Sequence, residues 1–215
     1  MGIAERKEKQ KEEIRKMILD ASMKLFVEEG FEKVSIRRIA DIIQYSPTTI
    51  YLYFKDKNEI LFYLNQAGFI KLLEQNKELI KLQNPLLRLH KMGENYIRFG
   101  LENPEYYDLM FIQPAPMEKL AELNLGEWKN GDATRDMLKS IIAECMEKGI
   151  LIEHDINSVA MAVWGLVHGL VSLSIRRRFE KLVDPEDVVK TMYGSLNWMM
   201  GLFDENIDSK TTDIR

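Results

Sequence analysis

The chain is organised around the stretch SIRRIADIIQYSPTTIYLYFKDKNEIL, residues 35–61. Apolar residues recur at helical spacing after Ser35, a residue type whose side chain often caps a helix. Ser46, which precedes a proline, and Asp56, which precedes a glutamate by three residues, are two further helix starts. We therefore predict helices over residues 36–43 and 47–54 and a longer one after Asp56. Two helices joined in this way form a helix-turn-helix, whose second helix fits the major groove of DNA.

An amphipathic helix is predicted before this stretch. Its apolar face follows the charged segment 5–16 and ends at Gly30, a residue suited to a left-handed C-cap. This face consists of Ile14, Met17, Ile18, Ala21 and Leu25. Packed across the next two helices, it completes a three-helix DNA-binding head. The charged segment is interpreted as a solvated helix start or a frayed arm, and contact of its basic residues with DNA is the alternative.

The composition is that of a soluble globular protein. The 215 residues carry a net charge of −4, which argues against non-specific coating of DNA or anionic membranes. Residues 33–57 nevertheless hold five basic residues against Asp41 and Asp56. Cys145 is the single cysteine, and the charged N-terminus lacks the apolar core of a signal peptide. We therefore expect a cytoplasmic protein whose locally basic region meets DNA.

Two parts of the chain resemble a known family. The segments EEGFEKVSIRRIAD, residues 28–41, and SPTTIYLYFKDKNEIL, residues 46–61, are similar to the N-terminal domain of TetR-family bacterial transcriptional regulators. The segments YIRFGLENPEYYDLMF, residues 96–111, and WGLVHG, residues 164–169, resemble the class of TetR-family C-terminal domains with a Trp-His-Gly motif. One departure is Gln44, which stands where the family usually has glycine. A left-handed residue there costs about 1 kcal/mol relative to glycine, so we expect a slightly different turn.

The resemblance also implies residues that contact DNA. Arg37 is the candidate for reading a guanine, because its guanidinium matches two acceptors on one base. Thr48 and Thr49 offer hydroxyl and methyl groups to base edges. The candidate DNA-binding residues are Ser35, Arg37, Thr48, Thr49, Tyr51, Tyr53 and Lys57. The competing interpretations are that Ser35 is only a helix cap and that Arg38 is a solvated neighbour of the interface.

No strand pattern competes with helical periodicity anywhere in the chain. We predict an all-α protein of about nine helices, with an N-terminal helix-turn-helix domain over residues 1–57. Residues 58–215 are predicted to form a helical domain for ligand binding and dimerisation. A long helix over residues 58–82 links the two domains. Later helices are predicted over residues 85–102, 132–148 and 155–175, with a short aromatic helix after Pro104 and a last apolar helix after Asp187.

The segment 158–175 contains no charged residue. Its length fits a transmembrane helix, but His168, three serines and two glycines favour a helix buried in the protein. Gly165 and Gly169 lie four residues apart, so they form a small-residue groove on one helix face. The last two apolar helices offer more surface than one subunit easily covers, which predicts a homodimer. The candidate interface residues are Gly165, Gly169, Met192, Leu196 and Met199.

Methionines and aromatic residues are concentrated in the middle and late helices. Such side chains form adaptable apolar pockets, so we expect a small hydrophobic effector. The candidate pocket residues are Met92, Tyr96, Phe99, Met110, Phe111, Trp128, Met137, Trp164 and His168. The competing interpretation is that these residues are ordinary core, and that His168 is a hydrogen-bonded buried histidine.

Catalysis is not predicted. The histidines at positions 90, 154 and 168 form no metalloprotease motif, and the chain has neither a nucleophile elbow nor a phosphate-binding loop. We expect no metal and no cofactor. The predicted function is a DNA-binding regulator, a ligand-released repressor that binds a palindromic operator as a homodimer. The alternative is a helical protein-binding adaptor or a small-molecule-binding protein without operator specificity.

Overall fold

The computed structural model describes residues 2–114, 116, 118 and 129–212, and the side chains of these residues apart from Ile3 and residues 202–212. Within these residues the chain forms nine α-helices and no strand, which confirms the predicted all-α class. The helices are α1 (Ile3–Glu29), α2 (Ile36–Ile43), α3 (Pro47–Tyr51), α4 (Lys57–Asn76), α5 (Pro85–Glu102), α6 (Pro104–Phe111), α7 (Lys129–Glu147), α8 (Ile156–Ile175) and α9 (Val188–Thr212). Short 3-10 segments, Lys77–Lys81 and Phe179–Lys181, follow α4 and α8.

Unit 1 is a compact body made of Met1–Gly68 and Glu105–Trp128. Its core is built from the apolar faces of α1 to α4 together with Leu109 of α6. Met17, predicted to lie on the buried face of α1, is exposed, because the buried stripe passes through its neighbour Ile18. Among its largest fully buried residues are Ile18, Leu25, Ile39, Ile50, Phe54 and Ile60.

The end of α1 follows the predicted capping device in part. Gly30 has a φ of 85° and donates its N–H to the carbonyl of Phe26 at 3.0 Å. Its ψ of 151° lies outside the left-handed helical region that was predicted. The Phe26 and Phe31 rings, 5.1 Å apart between centroids, make the expected hydrophobic contact across the cap. The positive φ still favours glycine at position 30.

The chain passes from unit 1 to unit 2 within α4, between Gly68 and Phe69. The first half of α4 belongs to unit 1, and α6 approaches it closely there. A Cβ on Gly68 would lie 2.4 Å from the sulfur of Met110, so any other residue at that position would require the Met110 side chain to move. The compact units therefore do not coincide with the predicted functional division at residues 57 and 58, which stays a prediction.

Unit 2, made of Phe69–Pro104 and Lys129–Arg215, is arranged around α5. This helix contacts α7, α8 and α9. It begins as predicted at Pro85, where Asn84 accepts hydrogen bonds from the backbone N–H groups of Leu86 and Leu87. Gly93 lets α9 approach, since a Cβ there would lie 3.1 Å from Leu196. An alanine at position 93 would require the Leu196 side chain to shift by a few tenths of an ångström.

A buried polar network joins the end of α4 to α5. The Asn95 amide donates to the side-chain oxygen of Asn76 and to the carbonyl of Gln75, at 2.9 Å in both cases. Asn76 in turn donates to the Leu72 carbonyl at 3.1 Å, and Arg98 donates to Asn95 at 2.8 Å. Because buried polar groups are costly unless they are paired, these bonds fix where α4 stops.

Helix α8 is the uncharged helix predicted to be buried, and within one chain that prediction is wrong. Only Ala160, Val167 and Val171 are buried among its residues, whereas Met161 is 70% exposed. Its length and composition are also sufficient to cross a membrane. A helix that is hydrophobic on all sides is expected to be buried. The pattern does not indicate whether the same chain, another protein chain or a membrane buries it.

Candidate functional site

The helix-turn-helix is formed by α2, a turn of residues 44–46 and α3. Gln44 itself has left-handed geometry, with φ 58° and ψ 38°. The N–H of Tyr45 bonds to the Ala40 carbonyl at 3.0 Å and closes the turn. The turn was expected to change shape to avoid a left-handed glutamine. Instead, Gln44 takes the left-handed conformation, which costs it about 1 kcal/mol relative to glycine.

Side chains cap the helices of this motif where the sequence predicted. Ser35 accepts the backbone N–H of Arg38 at 3.2 Å, and Ser46 accepts that of Thr49 at 3.1 Å. Asp56 accepts the N–H of Glu59 at 2.8 Å and starts α4. The second helix begins at Pro47 as predicted, but the predicted span of residues 47–54 is too long, because α3 ends at Tyr51. The chain has to leave helical geometry there to bring Asp56 into its capping position.

Four of the predicted DNA-binding residues are exposed, and one of these, Ser35, is a helix cap. Arg37, Thr48 and Tyr51 all face solvent, with Tyr51 56% exposed. The neighbouring Arg38 behaves differently, because its guanidinium donates to Glu29 at 2.8 and 3.0 Å and pins α2 to the end of α1. Among the described residues Arg37 has no such carboxylate partner, which leaves its guanidinium available for a base edge.

The other predicted contacts are already engaged within the protein. Ser35 is a helix cap, and the Thr49 hydroxyl shares a hydrogen bond with Ser46 at 2.9 Å. The Lys57 ammonium donates to the Phe31 carbonyl at 2.9 Å, which uses one of its three N–H donors. Tyr53 is half-buried against the core of unit 1. These contacts therefore fix the geometry around the exposed side chains, and Lys57 retains two N–H donors.

Sequence reasoning missed Arg15 of α1. Its guanidinium lies over the rings of Phe54 and Tyr63, 4.4 and 4.0 Å from their centroids. It also donates to the Tyr53 carbonyl at 3.1 Å. The available signal was spacing, since Arg15 lies three residues before the buried Ile18 and so on the inner side of α1. The surrounding charge run hid this signal.

Three candidate pocket residues form a hydrogen-bonded cluster in unit 2. The Trp164 indole donates to the Tyr96 hydroxyl at 3.2 Å, and that hydroxyl is 3.1 Å from Nδ1 of His168. Burial lowers the pKa of His168, and the charge of Arg176 lowers it further. The neutral imidazole is thus favoured, and its Nδ1 can accept the Tyr96 hydroxyl proton.

The remaining candidate pocket residues are dispersed. Met92 and Phe99 are buried on α5, and Met137 is half-buried on α7. Met110 and Phe111 belong to α6 in unit 1, where Met110 contacts Gly68 and the ring of Phe111 contacts Tyr107. Trp128 lies outside the described residues. Only part of the predicted set, therefore, is brought together in unit 2.

A groove of about 450 Å³ lies between α8 and α9 and contains none of the predicted pocket residues. Its lining residues are Leu166, Thr191, Gly194, Ser195, Trp198 and Met199. Gly165 and Gly169 on α8 have no neighbouring atom within 4 Å of an added Cβ, so their face is open.

Two of the predicted interface residues are misplaced. Met192 and Leu196 are only 1% and 2% exposed within one chain, so they cannot offer surface to a second copy. Leu196 packs against Gly93 of α5 instead. The apolar face of α9 is wide enough to contact both α5 and the groove. Met192 and Leu196 lie on the side of this face that is buried within the chain.

No metal-binding arrangement of three or more His, Cys, Asp and Glu side chains occurs among the described residues. Cys145 is buried, and desolvation raises the pKa of its thiol to about 11. The thiol is therefore protonated at neutral pH and is a poor nucleophile or ligand.

Comparison with known proteins gives the same assignment for both halves. Residues 18–64 match the family model of bacterial regulatory proteins of the tetR family, and residues 89–196 match a tetracyclin repressor-like C-terminal domain. The uncharacterized HTH-type transcriptional regulator YobS of Bacillus subtilis is 22% identical over 194 residues, covering 89% of this chain and 94% of YobS. An HTH-type transcriptional regulator of Staphylococcus aureus is 32% identical over 92 residues, which cover 42% of this chain and 50% of that protein.

The fold is shared with solved structures. The fatty acid degradation regulator FadR from Bacillus halodurans superposes with a TM-score of 0.66 at 19% identity, covering 85% of this chain and 93% of FadR. The TetR family regulator PfmR from Thermus thermophilus has a TM-score of 0.60 at 20% identity, with 85% and 96% covered. Because the C-terminal model alone spans half of the chain, the protein belongs to the TetR family of bacterial regulatory proteins and is a DNA-binding transcriptional regulator, not an enzyme.

Proposed function

We propose that this regulator is a repressor that binds a palindromic operator as a homodimer in the cytoplasm and is released by a small hydrophobic effector. The observation that carries the proposal is the uncovered apolar face of α8 and α9. Met161 on α8 is 70% exposed, and Trp198 on α9, which lines the groove between these helices, is 71% exposed. A large exposed apolar patch marks an interaction surface. A second copy is the occupant, since a two-fold dimer presents two recognition helices to two half-sites about 34 Å apart.

The DNA-reading role is proposed for the exposed side chains of unit 1. Arg37 is assigned to a guanine edge and Thr48 to a neighbouring base, while Tyr51, Tyr53 and Lys57 are assigned to phosphates. Ser35 and Thr49 complete the interface next to these residues. We expect Tyr53→Ala and Lys57→Ala to weaken binding alike for all sequences, whereas Arg37→Ala relaxes the choice at one base pair.

The effector site is proposed in unit 2, around the hydrogen-bonded cluster of Tyr96, Trp164 and His168. Met92, Phe99 and Met137 supply apolar side chains on the neighbouring helices α5 and α7. The cluster combines apolar walls with a few polar groups, which suits a small hydrophobic molecule. Effector binding is transmitted through α4, because this helix continues from unit 2 into unit 1. Residues 1–57 thus read DNA and residues 58–215 bind the effector and the second copy.

Coupling of this kind has a thermodynamic condition. The effector has to bind the DNA-incompetent state more tightly than the DNA-competent one, by the coupling free energy. A change in the separation of the two recognition helices then lowers operator affinity. An effector with equal affinity for both states would leave the operator occupied.

The experiment that tests the proposal is selection of bound duplexes from a random DNA library, followed by titration of the selected operator at several salt concentrations. We expect a palindrome, with an affinity that falls steeply as salt rises, because phosphate contacts release counterions. Selection without enrichment, or binding that does not depend on salt, would favour a protein-binding adaptor.

The effector is sought by repeating the titration with fatty acids of increasing chain length. This panel is chosen because one structural relative is a fatty acid degradation regulator. The expected result is a loss of operator affinity with at least one member of the panel. Tyr96→Phe, which removes the central hydroxyl of the cluster, should shift the effector concentration required while leaving operator affinity without effector unchanged. Equal responses of both proteins would remove the cluster from the effector site.

A further inference from the structure

We infer that Arg15 is a positioning residue for DNA binding, which holds the segment between α3 and α4 without touching DNA itself. The inference rests on the proposed function, because that segment carries the phosphate contacts assigned to Tyr53 and Lys57. Arg15 is on α1, in the charged run 5–16, for which the sequence offered only direct contact of basic residues with DNA as an alternative to a solvated helix start or a frayed arm.

The first observation is the setting of the Arg15 guanidinium. It lies in the corner between two aromatic rings, 4.4 Å from the centroid of Phe54 and 4.0 Å from that of Tyr63. The two rings stand nearly edge to face, at 68° and 5.8 Å apart. A planar cation attracts both ring faces and joins α1 to the residues just after α3 and within α4.

The second observation is a hydrogen bond from Arg15 to the backbone of the segment between α3 and α4. Arg15 donates to the Tyr53 carbonyl at 3.1 Å, where the chain has left α3 and turns toward α4. At the other end of the same segment, the Lys57 ammonium donates to the Phe31 carbonyl at 2.9 Å. Both ends of residues 53–57 are therefore tied to α1 or to the residues that follow it.

The third observation is the absence of a counter-charge. Within the described residues, Arg15 makes no salt bridge, whereas Lys16 and Lys24 of the same helix pair with acidic residues one turn away. A methionine or leucine would fill the space between Phe54 and Tyr63. Neither side chain could donate a hydrogen bond to the Tyr53 carbonyl. The guanidinium of Arg15 therefore fixes the backbone at Tyr53 in addition to filling space in the core.

The test compares Arg15→Met and Arg15→Lys with Lys24→Met, which removes the same charge from an exposed site on α1. Operator affinity is measured at a temperature where circular dichroism shows each variant to be folded. We expect both Arg15 variants to bind at least about tenfold more weakly than the unmodified protein, and Lys24→Met to bind normally. Lysine does not rescue because it lacks the plane that spans both rings. Rescue by Arg15→Lys would overturn the inference, since a direct phosphate contact needs only the charge.

A double-mutant cycle with Tyr53→Phe separates positioning from independent action. If Arg15 acts by placing Tyr53, the double variant loses less affinity than the two single losses combined. Additive losses would overturn the inference. A readout without DNA accompanies the cycle: hydrogen exchange at the Tyr53 and Phe54 amides, which bond to the Ile50 carbonyl, should accelerate in Arg15→Met and Arg15→Lys but not in Lys24→Met.

The exchange measurement also separates this inference from the proposed function. If the unmodified protein selects no operator, the proposed function fails, while accelerated exchange in the Arg15 variants still supports a fixed segment. Unchanged exchange at both amides would overturn the positioning role even when the operator is found.

Discussion

Apolar residues are covered differently in the two units. In unit 1, Ile18, Ile39 and Ile50 are completely buried by other residues of the same chain. In unit 2, the outer sides of α8 and α9 leave Met161 and Trp198 mostly exposed. An apolar pattern at helical spacing therefore predicts that a helix face is buried in the functional protein. It does not predict whether residues of the same chain or of a second copy bury that face.

The largest effect is expected from Trp198→Glu, which tests whether a second copy covers the exposed apolar face of unit 2. A carboxylate in the groove between α8 and α9 would be buried without a partner in a dimer, which is costly. We expect monomers in analytical ultracentrifugation and a loss of operator affinity of about 100-fold, because two linked half-site contacts become independent. The control is Ile80→Glu, which changes a residue equally exposed but outside these helices. A dimer that survives Trp198→Glu would place the interface elsewhere.

Arg37→Ala sharpens the contrast within unit 1 between a free and an engaged arginine. We expect it to reduce discrimination at one base pair by about 1–3 kcal/mol, measured by titrating operators that differ at each position. Arg38→Ala is the matched variant, since Arg38 is committed to Glu29. It should leave base preference intact and lower thermal stability slightly. The same loss of preference in both variants would mean that the arginines act only as local positive charge.

Gly93→Ala and Gly165→Ala compare a covered with an uncovered glycine in unit 2. A Cβ at position 93 would press on Leu196, so we expect a destabilisation of about 1 kcal/mol by chemical denaturation. At position 165 a Cβ meets nothing within one chain, so alanine should stabilise the helix by up to about 1 kcal/mol.

The Gly165 measurement is made in the Trp198→Glu background, where the protein is expected to be monomeric. In the unmodified background, the same substitution should weaken dimerisation, because it fills the face that a second helix approaches. Equal effects in the two backgrounds would exclude Gly165 from the interface.

The smallest expected effect is that of Gln44→Gly in the helix-turn-helix. Glycine relieves the left-handed strain of Gln44 but gains freedom in the unfolded chain, so the net stabilisation should be about 0.5 kcal/mol. Thermal unfolding measures it, with operator affinity unchanged. A destabilisation would show that the glutamine side chain contributes contacts to the turn.

The sequence predicted features that depend on neighbours along the chain. Ser35, Ser46 and Asp56 cap helices where expected, since a capping bond reaches only two or three residues ahead. The position of Asn84 before a proline also placed the start of α5 correctly. These signals were sufficient for the helix-turn-helix and for the all-α class.

Features that depend on packing between distant residues were not predicted. The spacing within α1 places Arg15 on the inner side of that helix, but it does not specify that Phe54 and Tyr63 converge on the guanidinium. Leu196 was assigned to the interface because one stripe on α9 serves two surfaces, and only the approach to Gly93 separates them. The candidate pocket residues lie on separate helices for the same reason. They were chosen by residue type, and residue type does not show which side chains meet in one site.

The short 3-10 segment Lys77–Lys81 lengthens the path of the chain after α4. A 3-10 helix rises about 2.0 Å per residue against 1.5 Å in an α-helix, so these five residues extend about 2.5 Å further than α4 would if it continued. Rewinding them as α-helix would shorten the path and rotate Leu79 by about 60° relative to Asn76. Leu79 is buried in the extended form, so its place in the core opposes shortening.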